Sequence, residues 1–210
     1  LVTLQNGIPW WYFQKLGGPY ADRVVETVDP GGVLFNAIDS NQVVGCIAYP
    51  AATIAEPGVI KHIEGNRFPV GELDGSASER VAMVSALFAG GGFKARVLDD
   101  IRSEIWLKLW GNLTFNPISA LTHSTLVDIC QFPLSRALAA TMMTEAQVIA
   151  ERLGASFRVP MERRIAGAES VGKHKTSMLQ DVEAGKPLEI DGMLGVVVEL
   201  ADITGVEVPT

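Results

Sequence analysis

The sequence predicts an α/β segment followed by an all-helical domain, with the boundary near residue 98. Residues 1–98 are rich in glycine, proline and β-branched runs, whereas from Asp99 onward apolar residues recur at helical spacing. The chain of 210 residues is 48% hydrophobic and 20% charged, a balance that lets it bury a substantial core.

Val2-Thr3-Leu4 is a short apolar run that stops at Gln5-Asn6-Gly7, as a strand does when it ends in a loop. Val43 to Tyr49 is continuously apolar, which suits a strand covered on both faces. Gly58 to Ile63 and Lys94 to Leu98 are further strand-like pieces. Ser76 to Ala89 reads as a helix, with apolar Val81, Val84, Leu87 and Phe88 and with Glu79 placed to close a capping box on Ser76. Gly90-Gly91-Gly92 behind it suits a helix C-cap and turn better than a phosphate cradle, because a phosphate loop follows a strand and opens a helix. Beyond Asp99, helices are expected at about 99–115, 117–125, 134–153, 158–172, 174–184 and 189–204, punctuated by Pro133, Gly154, Pro160 and the Gly185-Lys186-Pro187 turn.

The stretch from Ile101 to Pro117 has apolar residues on nearly every side, the pattern of a buried helix. Lys108, Asn112 and Asn116 lie four residues apart along it, so they drift by only about 40° per step and form one polar stripe. Burying an unpartnered amide costs about 1–3 kcal/mol, and an ammonium more, so the stripe needs internal partners or a polar cavity. At this level a structural reading stays open: Lys108 reaching solvent, and the asparagines serving the backbone that Pro117 disturbs. Glu189, just after Pro187, suits the start of the last helix on electrostatic grounds alone, and Ser177 is an ordinary helix serine by position.

A net charge of −7 gives no electrostatic reason to expect nucleic acid or an anionic membrane as partner. No apolar stretch is long enough to span a bilayer. Cys46 and Cys130 are far apart, with no metal-ligand spacing around them, and His62, His123 and His174 are scattered. Neither a disulfide framework nor a metal site is suggested, and a reducing cytoplasm fits best. Leu1-Val2-Thr3-Leu4 is not a signal peptide and reads as a chain entered in mid-fold.

Gln5-Asn6-Gly7 after a strand, the K-x-x-x-N-x-x-x-N-P stretch from Lys108 to Pro117, Ser177-Met178-Leu179-Gln180-Asp181, and Glu189-Ile190-Asp191-Gly192 resemble, in order and spacing, the ketopantoate (2-dehydropantoate 2-) reductase family. The resemblance covers essentially the whole chain. It implies the C-terminal half of a Rossmann domain over residues 1–98 and, over 99–210, a helical substrate-binding and dimerisation domain like the C-terminal domain of 6-phosphogluconate dehydrogenase. A homodimer is compatible with it. It further implies NADPH as cofactor, a small 2-keto acid as substrate and no metal. By the same resemblance Lys108 is the general acid, Glu189 assists at the substrate, Asn112, Asn116 and Ser177 line the substrate, and Asn6 lies against the cofactor.

Three departures accompany it. No G-x-G-x-x-G occurs, so the phosphate loop is expected before Leu1. The chain stops at Val208-Pro209-Thr210, where family members continue into a further helix. Ile8-Pro9-Trp10-Trp11-Tyr12-Phe13 replaces a glycine-containing loop, and packing beneath the helical domain is favoured over covering a nicotinamide. The leading expectation is reduction of 2-dehydropantoate to pantoate. A paralogue acting on another small keto or hydroxy acid, and a fragment that binds substrate and dimerises without turnover, are the alternatives.

Overall fold

The computed structural model describes residues 1–4 and 6–210; Gln5, in the Gln5-Asn6-Gly7 segment, lies outside the described residues. Four short strands form one sheet in the order β1 (Val2–Leu4), β2 (Val44–Cys46), β5 (Val70–Gly71), β6 (Val97–Leu98). The β1–β2 and β5–β6 pairs are parallel and β2–β5 is antiparallel. The apolar run around β2 is covered on both faces: Val43, Val44, Cys46 and Ile47 are all buried. The strand expected at 58–63 is β4 (Val59–Glu64), which pairs with β3 (Ala51–Glu56) in a separate exposed hairpin that turns at Gly58, a left-handed residue. Of the expected strand at 94–98 only Val97 and Leu98 pair as β6, with Lys94 making a lone bridge to Arg67.

A short helix α1 (Val33–Ala37) precedes β2, and α2 (Glu79–Gly90) follows β5. The capping box on Ser76 does not form. Ser78 is the N-cap, its Oγ accepting from the Val81 N–H at 3.1 Å, while the Ser76 N–H is drawn to Asp74 at 3.0 Å. The triple glycine ends the helix as expected: the Gly92 N–H reaches Ala89 O at 2.9 Å, and Gly92 has φ +87°.

The helical part contains α3 (Ile101–Thr122), α4 (Leu126–Gln131), α5 (Pro133–Arg152), α6 (Met161–Ser170), α7 (Ser177–Glu183) and α8 (Val196–Thr204). The break expected between 115 and 117 is absent, and α3 runs on through Pro117. Proline there removes one ladder bond, but Leu113, Phe115 and Ile118 are buried around it, and that packing holds the helix together. Helix α4 was not expected. It starts where Asp128 accepts from both the Thr125 N–H (3.0 Å) and the Thr125 hydroxyl (2.5 Å). The helix expected at 189–204 begins later and in another form: Glu189 stands outside it, Asp191–Gly195 is a π-helical turn, and α8 continues from Val196.

Helix α3 is the axis of the core, with Trp106, Trp110 and Leu109 fully enclosed. Each indole N–H finds an acceptor, Trp106 the Tyr12 hydroxyl and Trp110 the Met143 carbonyl, both at 2.7 Å. The aromatic segment packs under this helix: Ile8, Trp11, Tyr12 and Phe13 are at most 1% exposed. Arg102 pins it there, donating to the carbonyls of Tyr12 (2.8 Å), Gln14 (2.7 Å) and Leu73. Further along the same loop, the Glu199 carboxylate of α8 accepts from the Glu26 and Thr27 N–H groups at 2.7 and 2.8 Å. The sheet and the helices are thereby joined across the loop that follows β1.

Candidate active site

The polar stripe of α3 opens onto a cavity of about 750 Å³ lined from both sides, by Asn6, Ala48 and Tyr49 next to the sheet and by α3, α6 and α7 on the other. Lys108 is half-buried at its wall. Its ammonium is tied down on the protein side: it donates to Asn6 Oδ1 at 2.5 Å and to the Ala48 carbonyl, and it lies 5.7 Å from the centre of the Tyr49 ring. Burial pulls the Lys108 pKa down to about 8, against the pull of nearby Glu189 and Cys46 in the opposite direction.

Asn6 bridges two of the expected site residues. While its carbonyl oxygen accepts from Lys108, its amide donates to Glu189 Oε2 at 3.4 Å. What lets these segments meet is the next residue. Gly7 has φ +72°, and a β-carbon built on it would collide with the carbonyl oxygen of Gly192 in the π-helical turn, with the Gly192 carbonyl carbon at 2.9 Å. Two glycines in backbone contact thus bring the loop after β1 against the segment that carries Glu189.

Asn112 and Asn116 both line the cavity, with Asn116 almost enclosed and its amide 3.6 Å from the Met193 sulfur. Ser177 lines it from the first turn of α7, whose N-cap Thr176 accepts from the Leu179 N–H at 3.3 Å. Glu189 is exposed and, although it reaches Asn6, is not part of the cavity wall. Lys108, Asn6, Asn112, Asn116 and Ser177 are therefore brought together on one cavity, and Glu189 joins them through Asn6.

Sequence reasoning missed the other charges in and behind the cavity wall. Glu104, buried one turn before Lys108, binds both Arg158 (3.1 Å to Oε1, with a second, shorter contact to Oε2) and the Tyr49 hydroxyl (2.5 Å). Burial alone would raise the Glu104 carboxyl, but Arg158 and Tyr49 outweigh it and hold the group below the usual carboxylate range. Desolvation, helped by Glu104, pushes the Tyr49 phenol up. Arg67 stacks 4.1 Å over the Tyr49 ring, and Arg164 enters from α6. Although the chain as a whole is acidic, its cavity is lined by Lys108, Arg67, Arg158 and Arg164 against a single carboxylate, that of the exposed Glu64, a balance that attracts an anion.

Residues 100–210 match the family model described as ketopantoate reductase PanE/ApbA C terminal. The chain belongs to the ketopantoate reductase family. It is similar over its whole length to a 2-dehydropantoate 2-reductase of Mesorhizobium japonicum, at 52% identity and covering 64% of that protein. Among solved structures, one assigned as a ketopantoate reductase from Ralstonia solanacearum superposes with a TM-score of 0.93 at 39% identity, over 99% of this chain and 63% of that one. A 2-dehydropantoate 2-reductase from Methylococcus capsulatus gives a TM-score of 0.80 at 27% identity, over 99% of this chain and 61% of that one. The chain thus spans less than two thirds of the length of these ketopantoate reductase relatives. Among its described residues, no helix is long and apolar enough to cross a membrane.

Proposed function

We propose that this chain forms the substrate side of an NADPH-dependent reductase that converts a small 2-keto acid, 2-dehydropantoate, to its 2-hydroxy acid, with Lys108 as the proton donor. The observation that supports this most is the placement of Lys108: an ammonium held by Asn6 and Ala48 at the cavity wall, with a pKa pulled down to about 8. An acid with a pKa close to the working pH is both protonated and ready to release its proton.

Asn6 follows the carboxyl end of β1, and Ala48 lies beyond the same end of its parallel neighbour β2. Ligands of open α/β sheets bind outside such strand ends. The Asn6 amide, a donor and acceptor in one group, fits the nicotinamide end of a dinucleotide. No glycine-rich strand–turn–helix for the phosphates occurs among the described residues, so that part of the binding is assigned to the segment the longer relatives possess. When bound, the reduced nicotinamide supplies the hydride.

As the C2 carbonyl becomes an alkoxide, negative charge grows on its oxygen, and the Lys108 ammonium stabilises that charge and then transfers a proton from Nζ. Asn6 fixes the ammonium through its carbonyl oxygen and, through its amide, keeps Glu189 close enough to accept from a substrate hydroxyl. Asn112 and Asn116 orient the substrate without adding charge, and Ser177 offers a hydrogen bond to its carboxylate. The test is NADPH oxidation by the full-length protein with 2-dehydropantoate and a panel of other keto acids, with and without Lys108→Ala. Loss of a general acid lowers the rate by about 10²–10⁴. A variant within a few-fold of the parent would remove Lys108 from that role.

A further inference from the structure

Resting on the keto acid reading above, we propose that Arg164 binds the substrate carboxylate, supplying the charge that the neutral donors of the cavity lack. The other cations of the cavity are already engaged. Lys108 is held by Asn6 and Ala48, Arg158 by Glu104, and Arg67 is exposed and rides on the Tyr49 ring. Arg164 differs from all of them. Its backbone is fixed in the first turn of α6, where its N–H bonds to the Pro160 carbonyl at 3.1 Å, but among the described residues no oxygen accepts from its guanidinium and no carboxylate pairs with it. Burial lowers its pKa, a sign that the charged form has lost water without gaining a counter-ion. A guanidinium held in this way in a cavity wall costs folding free energy, and a bound carboxylate returns it.

Its position is set by Gly111. A β-carbon built at 111 would collide with Arg164 Nη2 and lie 2.8 Å from Cζ, so the guanidinium rests on α3 where that helix has no side chain. Gly111 is three residues beyond Lys108, about 4.5 Å along the helix axis. In a 2-keto acid the reacting carbonyl and the carboxylate are on adjacent carbons. Two cations based one turn apart on the same cavity wall suit such a pair, and the planar guanidinium matches a carboxylate with paired hydrogen bonds.

The test uses full-length enzyme, Arg164→Gln and Gly111→Ala. KM and kcat are measured for 2-dehydropantoate and for its carboxamide analogue, and pantoate binding is followed by calorimetry. Gly111→Ala leaves the arginine in the chain but moves its flexible end, so it guards against a misfolded Arg164 variant. Both variants should raise KM and weaken pantoate binding by about ten- to a hundredfold, with kcat changed less than about fivefold and the carboxamide KM nearly unchanged. Equal losses for acid and carboxamide, or unchanged pantoate binding in both variants, would overturn the assignment while leaving the reductase reading intact. A parent that binds pantoate through Arg164 yet reduces no keto acid would overturn the reductase reading and leave the carboxylate site standing. A parent that does neither would overturn both.

Discussion

Replacing Gly7 with alanine tests whether the site is assembled by backbone contact between the loop after β1 and the π-helical turn. Two effects add at this position. The φ of +72° is a left-handed conformation that costs a residue with a β-carbon about 1–2 kcal/mol. The new methyl also meets the Gly192 carbonyl, a backbone group that cannot swing aside as the end of a side chain can. The loop must therefore retreat, and it carries Asn6 away from Lys108 and Glu189, which it now contacts at 2.5 and 3.4 Å. A shift of about 1 Å in a positioning group costs on the order of 10² in rate. Gly7→Asn separates the two effects, since asparagine tolerates the left-handed backbone but keeps the collision. Urea denaturation should find Gly7→Ala destabilised by at least about 1 kcal/mol and Gly7→Asn less so, while initial rates fall by about 10² in both. Full-length variants with rates within twofold of the parent, and an alanine variant of parental stability, would refute the proposed assembly.

Other parts of the structure respond to simpler changes. Arg102→Met should cost roughly 3–5 kcal/mol in urea denaturation, because the carbonyls of Tyr12, Gln14 and Leu73 lose their charged donor in a buried setting. Glu72 has its pKa lowered, chiefly by its bond to Arg80 with help from Ser78. Its contribution to stability is thus present above the ordinary carboxylate pKa and is lost as pH falls through the lowered one; Glu72→Gln should flatten thermal stability across that acid range. Glu189→Gln should lower kcat with 2-dehydropantoate more than with a keto acid that has no hydroxyl group, and equal losses for the two would remove its assigned contact.

Most of the candidate site was legible in the sequence because its main signal is local. A lysine and two asparagines at four-residue spacing on an otherwise apolar helix must share one polar face, and Lys108, Asn112 and Asn116 do line one cavity. Gly90-Gly91-Gly92 was legible for the same reason, since a C-cap depends on neighbouring residues. The local signal misled at Pro117, where burial of the surrounding side chains outweighs the lost hydrogen bond, and at Ser76, where Asp74 competes for the backbone that a cap would have used. Long-range pairings left no local trace. Asn6 and Glu189 are 183 residues apart, and Glu104 and Arg158 are 54 apart. Arg164 reads as one more charge in the run Glu162-Arg163-Arg164 until the structure lays it on Gly111. The short Thr125–Asp128 motif starts α4 where the helix expected at 117–125 ends, and α4 fills the gap that the sequence reading leaves before the helix expected at 134–153.

The sheltered ammonium of Lys108 is tested most directly by the pH dependence of kcat/KM for keto acid reduction by the full-length enzyme. Because burial lowers this lysine to about 8 and the protonated form is the donor, reduction should fall above pH 8 by about tenfold per unit, while oxidation of the hydroxy acid, which needs the free amine, should rise over the same range. A reduction rate that stays level to pH 10 would show an ordinary, solvated lysine and contradict the assignment.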